Sequence, residues 1–129
     1  MRDVAPYSVM PMLLGNTKDA RRLARRLLWY FSLRSYVFDR CPSWELRLML
    51  AARFFPIPEV DGDEFLILTL ERFAAEHDDM TFLLVSCSPE ANNFLKRNRF
   101  ALEDKFLIRS SSEMLKAFRE GADSPYASI

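Results

Sequence analysis

Residues 8–28 read SVMPMLLGNTKDARRLARRLL, and this stretch decides the fold of the chain. The apolar run from Val9 to Leu14 is typical of a strand that is covered on both faces. Gly15 supplies a tight turn, and the apolar residues after it recur at helical spacing. A strand, a turn and a helix in this order open a βαβ unit, in which ligands bind at the carboxyl end of the strand. The buried face of the helix is predicted to consist of Ala20, Leu23, Ala24, Leu27, Leu28 and Phe31.

The composition predicts one globular domain without a dominant charge. The chain has 129 residues, half of them hydrophobic, and its 18 basic and 18 acidic residues cancel. It is long enough for one core, and it has no overall field that would attract nucleic acid or a membrane. No apolar run approaches the roughly twenty residues of a membrane span. Cys41 and Cys87 lack the spacing of a metal site or a disulfide framework. This favours a location of the protein in the reducing cytoplasm.

Strand and helix patterns alternate along the rest of the chain. Four further strands are predicted, over residues 35–38, 54–58, 81–85 and 105–108. The later helices are predicted to start near Pro42-Ser43, Asp61, Ser88 and Ser110, the last of them extending to Glu120.

This alternation predicts an α/β, three-layer Rossmann-like domain over residues 8–120. Residues 1–7 are expected to be a loose lead-in and residues 121–129 a tail. Right-handed crossovers favour a mostly parallel five-stranded sheet of order 3-2-1-4-5. The first and fourth strands are then neighbours, and a ligand site is expected where their carboxyl ends meet.

Five residues at that junction are the candidate substrate-binding residues, namely Gly15, Asn16, Thr17, Cys87 and Ser88. The turn at Gly15 either presents backbone N–H groups to an anion or only needs the conformational freedom of glycine. It lacks the G-x-G-x-x-G pattern, which argues against a dinucleotide. Cys87 is interpreted first as a packed small residue, second as a pocket-lining residue and third as a nucleophile. No catalytic residue and no metal ligand is predicted, because the lone His77 has no acidic cluster at ligand spacing.

The polar face of the first helix is unusually basic. It carries Lys18, Arg21, Arg22, Arg25 and Arg26, with Asp19 as the only acid. Solvated helix faces more often mix the two signs of charge. A solvated face is the first interpretation, an acidic partner the second and nucleic acid the third.

Four short motifs occur in an order that resembles a known family. They are Pro11-Met-Leu-Leu-Gly15, Ala24-Arg25, Phe31-Ser-Leu-Arg-Ser35 and Ser86-Cys87-Ser88-Pro89. The chain resembles, over about residues 8–118, the N-terminal pre-ATP-grasp domain of ATP-grasp carboxylate–amine ligases similar to D-aspartate ligase. It departs from the family around Cys87, where the family has two glycines and an aspartate.

The resemblance implies a substrate-side or scaffolding domain that is not catalytically complete alone. In such ligases ATP and Mg²⁺ are held by further domains, and the carboxylate is activated as an acyl phosphate before an amine captures it. ATP and Mg²⁺ are thus expected only if further domains exist, and ATP-grasp domains are the implied partners. The alternative is a stand-alone, non-catalytic module that binds another protein or associates weakly with itself, without nucleic acid or membrane.

Overall fold

Five strands and six helices make up the part of the chain that the computed structural model describes, residues 9–57, 62–77 and 80–119. The strands are β1 (Val9–Leu14), β2 (Ser35–Asp39), β3 (Ala52–Pro56), β4 (Thr81–Ser86) and β5 (Phe106–Ser110). The helices are α1 (Lys18–Phe31), α2 (Trp44–Arg47), α3 (Asp63–Glu76), α4 (Pro89–Arg97), α5 (Arg99–Leu102) and α6 (Ser111–Arg119). The predicted lead-in and tail lie outside the described residues, as do Ser8, Pro58, Asp61 and Glu120.

All neighbouring strands are parallel, and the sheet order is β3-β2-β1-β4-β5. The predicted Rossmann-like α/β fold and its strand order are therefore confirmed. Two predicted strands are displaced, because the register with a neighbouring strand sets their ends. β3 begins at Ala52, which pairs with Ser35, and β5 extends to Ser110, which pairs with Ser86. The short α5 was not predicted, and α2 ends at Arg47 rather than near Leu50.

Pro11 lies in the central strand although proline has no N–H to donate. β1 pairs with β4 from Val9 onward, but its pairing with β2 begins only at Met12. Pro11 is thus in a part of β1 that has one neighbour, where proline is tolerated as it is at a sheet edge.

Two apolar clusters cover the two faces of the sheet. Successive side chains of a strand point to opposite faces, so Leu13 belongs to one cluster while Met12 and Leu14 belong to the other. The Leu13 cluster contains the inner face of α1 together with residues of α2 and α6. The Met12 cluster contains residues of α3, α4 and α5. These are the three layers of the predicted fold.

The buried face of α1 agrees with its sequence pattern. Ala20, Leu23, Ala24 and Leu27 are fully buried, whereas Leu28 and Phe31 are partly buried against the same cluster. Thr17 caps this helix by accepting a hydrogen bond from the Ala20 N–H at 3.2 Å. Such a side-chain cap contributes about 1 kcal/mol of stability.

Candidate functional site

The carboxyl ends of β1, β2 and β4 meet in a hydrogen-bonded junction. Leu14 pairs with Ser86 at the ends of β1 and β4. Past the ends of the strands, the Cys87 N–H donates to the Leu14 carbonyl and the Gly15 N–H donates to the Phe38 carbonyl, each at 2.9 Å. The turn at Gly15 and the loop at Cys87 are thereby held side by side, as the predicted strand order requires.

Gly15 is needed for two reasons at this junction. Its φ of +107° is a conformation that residues with a side chain rarely adopt. A Cβ at this position would lie 3.0 Å from the Ser88 Oγ and 3.2 Å from the Ser88 Cβ. Glycine therefore allows the turn and also allows the amino end of α4 to approach β1 closely.

A cleft of about 460 Å³ opens beside this junction, and we call it the switch-point cleft. Of the five predicted binding residues, Gly15, Thr17 and Ser88 line it. The cleft is lined in full by Leu14, Gly15, Thr17, Phe38, Asp39, Arg40, Leu66, Ser88, Glu90, Ala91 and Phe94. A ligand at this place would touch the ends of two strands and the amino ends of α1 and α4.

Asn16 holds the turn in place and does not line the cleft. Its backbone N–H donates to the Asp39 Oδ2 at 2.7 Å, and its Nδ2 donates to the Ser43 Oγ at 3.1 Å. Its Oδ1 accepts a hydrogen bond from the Arg21 Nη1 at 3.0 Å. The side-chain amide is thus committed to neighbouring elements, so the structure gives Asn16 a positioning contact in place of the expected position on the cleft wall.

Cys87 also lies away from the cleft lining. Its side chain is buried in the Leu13 cluster, on the same side of β4 as Val85. Burial raises the pKa of its thiol to about 12, so the thiol is protonated at neutral pH. A protonated thiol is a poor nucleophile, and the structure therefore favours the first of the three interpretations, a packed small residue.

Of the two hydroxyl groups on the cleft wall, that of Thr17 joins the two loops and that of Ser88 caps α4. The Thr17 Oγ1 donates to the Cys87 carbonyl at 2.8 Å, and the Ser88 Oγ accepts from the Ala91 N–H at 3.1 Å. Thr17 and Ser88 are the N-caps of α1 and α4. The positive ends of two helix dipoles therefore face one cleft, which favours a negatively charged group there.

Three charged lining residues, Asp39, Arg40 and Glu90, were missed from the sequence. Asp39 ends β2 and Arg40 follows it, and the carboxyl end of β2 lies at the same edge of the sheet as those of β1 and β4. Glu90 lies in the first turn of α4, and Leu66 of α3 forms part of the apolar wall. The cleft thus combines a cation and two carboxylates with an apolar side.

His77 has a structural role at the end of α3. Its ring stacks on Phe73 with the centroids 4.2 Å apart, and its Nδ1 lies 2.8 Å from the Phe73 carbonyl oxygen. Within residues 9–57, 62–77 and 80–119, no three His, Cys, Asp or Glu side chains are grouped so that they could hold a metal ion. Among the helices of the same ranges, none is long and apolar enough to cross a membrane.

Comparisons with known proteins assign no family to this chain. No protein-family model, no curated protein and no solved structure matches it. The similarity to ATP-grasp ligases consequently stays a prediction from the sequence motifs, and so does a binding role for Gly15, Asn16, Thr17, Cys87 and Ser88.

Proposed function

We propose that this chain is the N-terminal, substrate-side domain of an ATP-grasp carboxylate–amine ligase. Its switch-point cleft would form one wall of the pocket for an amino acid or another carboxylate. The observation that carries the proposal is the convergence of the capped amino ends of α1 and α4, at Thr17 and Ser88, on one cleft. Ligands of open parallel sheets bind at such a place, outside the carboxyl ends of the strands.

The charges of the cleft suit a molecule that carries both an acid and an amine. Two helix amino ends and the Arg40 guanidinium attract a carboxylate. Asp39 and Glu90 provide carboxylates for an ammonium group, and Leu66 and Phe94 provide apolar surface for the carbon chain. This combination matches the zwitterionic form of an amino acid.

The described residues do not fit ATP or Mg²⁺. The turn after β1 contains one glycine, and the lysine that follows it, Lys18, is exposed and does not line the switch-point cleft. No grouping of carboxylates suitable for a metal ion is found in the described ranges. We therefore assign substrate positioning to this chain and no step of phosphoryl transfer.

An amide NMR titration of the purified chain tests the proposal. D-aspartate, L-aspartate and L-glutamate are each added in turn. The expected result is a saturable shift of the Gly15, Thr17 and Ser88 amides with at least one of them. The methyl ester of the binding amino acid should shift these amides less, because it lacks the carboxylate.

Two matched variants locate the ligand. Arg40→Ala should weaken binding by about fivefold or more, because it removes a cation from the cleft wall. Arg34→Ala removes an exposed arginine just before the amino end of β2 and should leave binding unchanged. The proposal fails if no added amino acid shifts the cleft amides, or if the two variants behave alike. A reading frame that continues into an ATP-grasp region would give it independent support.

A further inference from the structure

Both tryptophans of the chain lie on the outside of the Leu13 layer. The chain has two tryptophans, and Trp29 of α1 and Trp44 of α2 are 84% and 70% exposed. Leu48 and Leu50, which follow α2, are 75% and 82% exposed. A large aromatic side chain presents roughly 150–250 Å², so the two indoles alone expose on the order of 300 Å². An apolar patch of this size is often a functional surface.

These side chains border one continuous groove. A cavity of about 570 Å³ lies along α1 beside Trp29, and one of about 520 Å³ lies between α1 and Trp44. The two cavities share Arg25, Leu28 and Ala51, so they adjoin one another. We call the combined feature the tryptophan groove, formed by Arg25, Leu28, Trp29, Trp44, Leu48 and Leu50.

The basic face of α1 leads into the tryptophan groove. Lys18, Arg22, Arg25 and Trp29 are spaced by four, three and four residues, which places them along one side of the helix. All four side chains are exposed. Arg21 differs from them, because its Nη2 lies 3.5 Å from the Glu45 Oε2. The side of α1 that borders the groove is therefore positively charged, and Glu45 is the one acid in the groove lining.

We propose that the tryptophan groove binds an acidic amphipathic peptide segment of another protein. Its leucine or aromatic side chains would pack between Trp29 and Trp44, while its carboxylates pair with Arg22 and Arg25. This proposal is independent of the switch-point cleft, which lies against α3 and α4 on the other side of the sheet.

Two other occupants fit the groove less well. A symmetric pair of chains would bring the same patch of each copy together. Arg25 of one copy would then face the basic face of α1 in the other, and the like charges would repel. Single-stranded nucleic acid could stack on the indoles, but aliphatic side chains form much of the groove wall and the chain as a whole is neutral.

The tryptophans supply the signal for the test. The probe is a synthetic helical peptide of about 16 residues with leucines on one face and glutamates on the other. Binding should shift the tryptophan emission to shorter wavelength, because the indoles leave water. A peptide with lysine in place of every glutamate should bind at least about tenfold more weakly.

Matched variants decide whether the tryptophan groove is the site that binds the acidic peptide. The double variant Arg22→Glu with Arg25→Glu should weaken binding of the acidic peptide by about tenfold or more. Arg72→Glu reverses an exposed charge on α3, in the other helical layer, and should bind like the unmodified chain. Trp29→Ala removes a highly exposed side chain, so circular dichroism should show the native fold while peptide affinity falls.

Four outcomes would overturn the proposal. They are equal binding of the acidic and basic peptides, unchanged binding in the charge-reversed variant, self-association that Trp29→Ala abolishes, and tighter binding of an oligouridylate or of anionic phosphatidylserine vesicles than of the acidic peptide.

Discussion

Replacing Gly15 with alanine should destabilise the fold by about 2–6 kcal/mol. A non-glycine residue held at an unfavourable positive φ costs about 1–3 kcal/mol, and φ is +107° at this position. The new Cβ would also lie 3.0 Å from the Ser88 Oγ and 3.2 Å from its Cβ. Overpacking of this kind costs about 1–3 kcal/mol more. In thermal unfolding followed by circular dichroism, the midpoint should fall by roughly 10 °C or more.

A second glycine, Gly62, separates the backbone cost of a positive φ from the steric cost of the added Cβ. Gly62 has a φ of +123°, and nothing lies within 4 Å of the Cβ that alanine would add there. Gly62→Ala therefore carries the backbone cost without the steric cost. Urea unfolding should show Gly15→Ala to be the more destabilising of the two by about 1 kcal/mol or more.

Removing the obstructing side chain should recover part of the loss. Ser88→Gly alone should cost only a few tenths of a kcal/mol, since glycine is tolerated at a helix N-cap. In the Gly15→Ala background it should be stabilising, with a coupling of about 1 kcal/mol. Equal costs at Gly15 and Gly62, or no coupling with Ser88, would refute the argument that a close approach requires glycine.

Five further predictions concern ATP binding, cysteine reactivity, the pH dependence of stability, a helix cap and self-association. The isolated chain should neither hydrolyse ATP nor bind it tightly, and micromolar affinity in calorimetry would contradict this. Cys41 is exposed and should react with iodoacetamide at neutral pH while Cys87 reacts only after unfolding. Because the folded-state pKa of Cys87 is raised to about 12, its contribution to stability is present below the unfolded thiol pKa of about 8.5. That contribution is lost as the pH rises toward 12, which urea unfolding at several pH values would measure. Thr17→Ala should cost about 1–2 kcal/mol in urea unfolding, since it removes a helix cap and the bond to the Cys87 carbonyl, whereas Thr17→Ser should cost less. Leu68 is 45% exposed on α3, and Leu68→Lys should reduce weak self-association without lowering the melting temperature; sedimentation that shows the unmodified chain to be monomeric would remove this expectation.

The strands whose positions were predicted correctly are those whose own residues form a continuous apolar run. β1 and β4 are continuous apolar runs buried on both faces, so their positions are visible without knowledge of their neighbours. β3 and β5 contain exposed residues, and pairing with the adjacent strand decides where each begins and ends. That information is absent from the local pattern of either strand.

The residues of the candidate site that could be predicted are those whose positions follow from the strand order alone. Gly15, Thr17 and Ser88 follow two adjacent strands, and the predicted order brings them together. The end of β2 lies at the same edge, so the same argument extended by one strand would have included Asp39 and Arg40. Leu66 depends on how α3 packs across the sheet, which no motif specifies.

Side-chain alternation explains why Cys87 does not line the cleft. Residues two apart in extended chain point to the same side, and Val85 and Cys87 both join the Leu13 cluster. The position of Trp29 follows from the helical repeat, because residues three or four apart lie on the same side of a helix and residues 22, 25 and 29 have this spacing. The basic face predicted from the sequence contains the arginines of that side but not Trp29, which continues it.

The central position of β1 has a consequence for how the protein is made. β1 is the first strand of the described residues, yet Val9 pairs with Thr81, 72 positions later. A ribosome therefore releases β1, β2 and β3 well before β4 can cover the other side of β1. During that interval one edge of the most apolar strand has no partner, and such an edge invites pairing with other chains. Fragments ending before β4 should therefore aggregate in cells, and the yield of folded protein should depend on how quickly translation reaches residue 86.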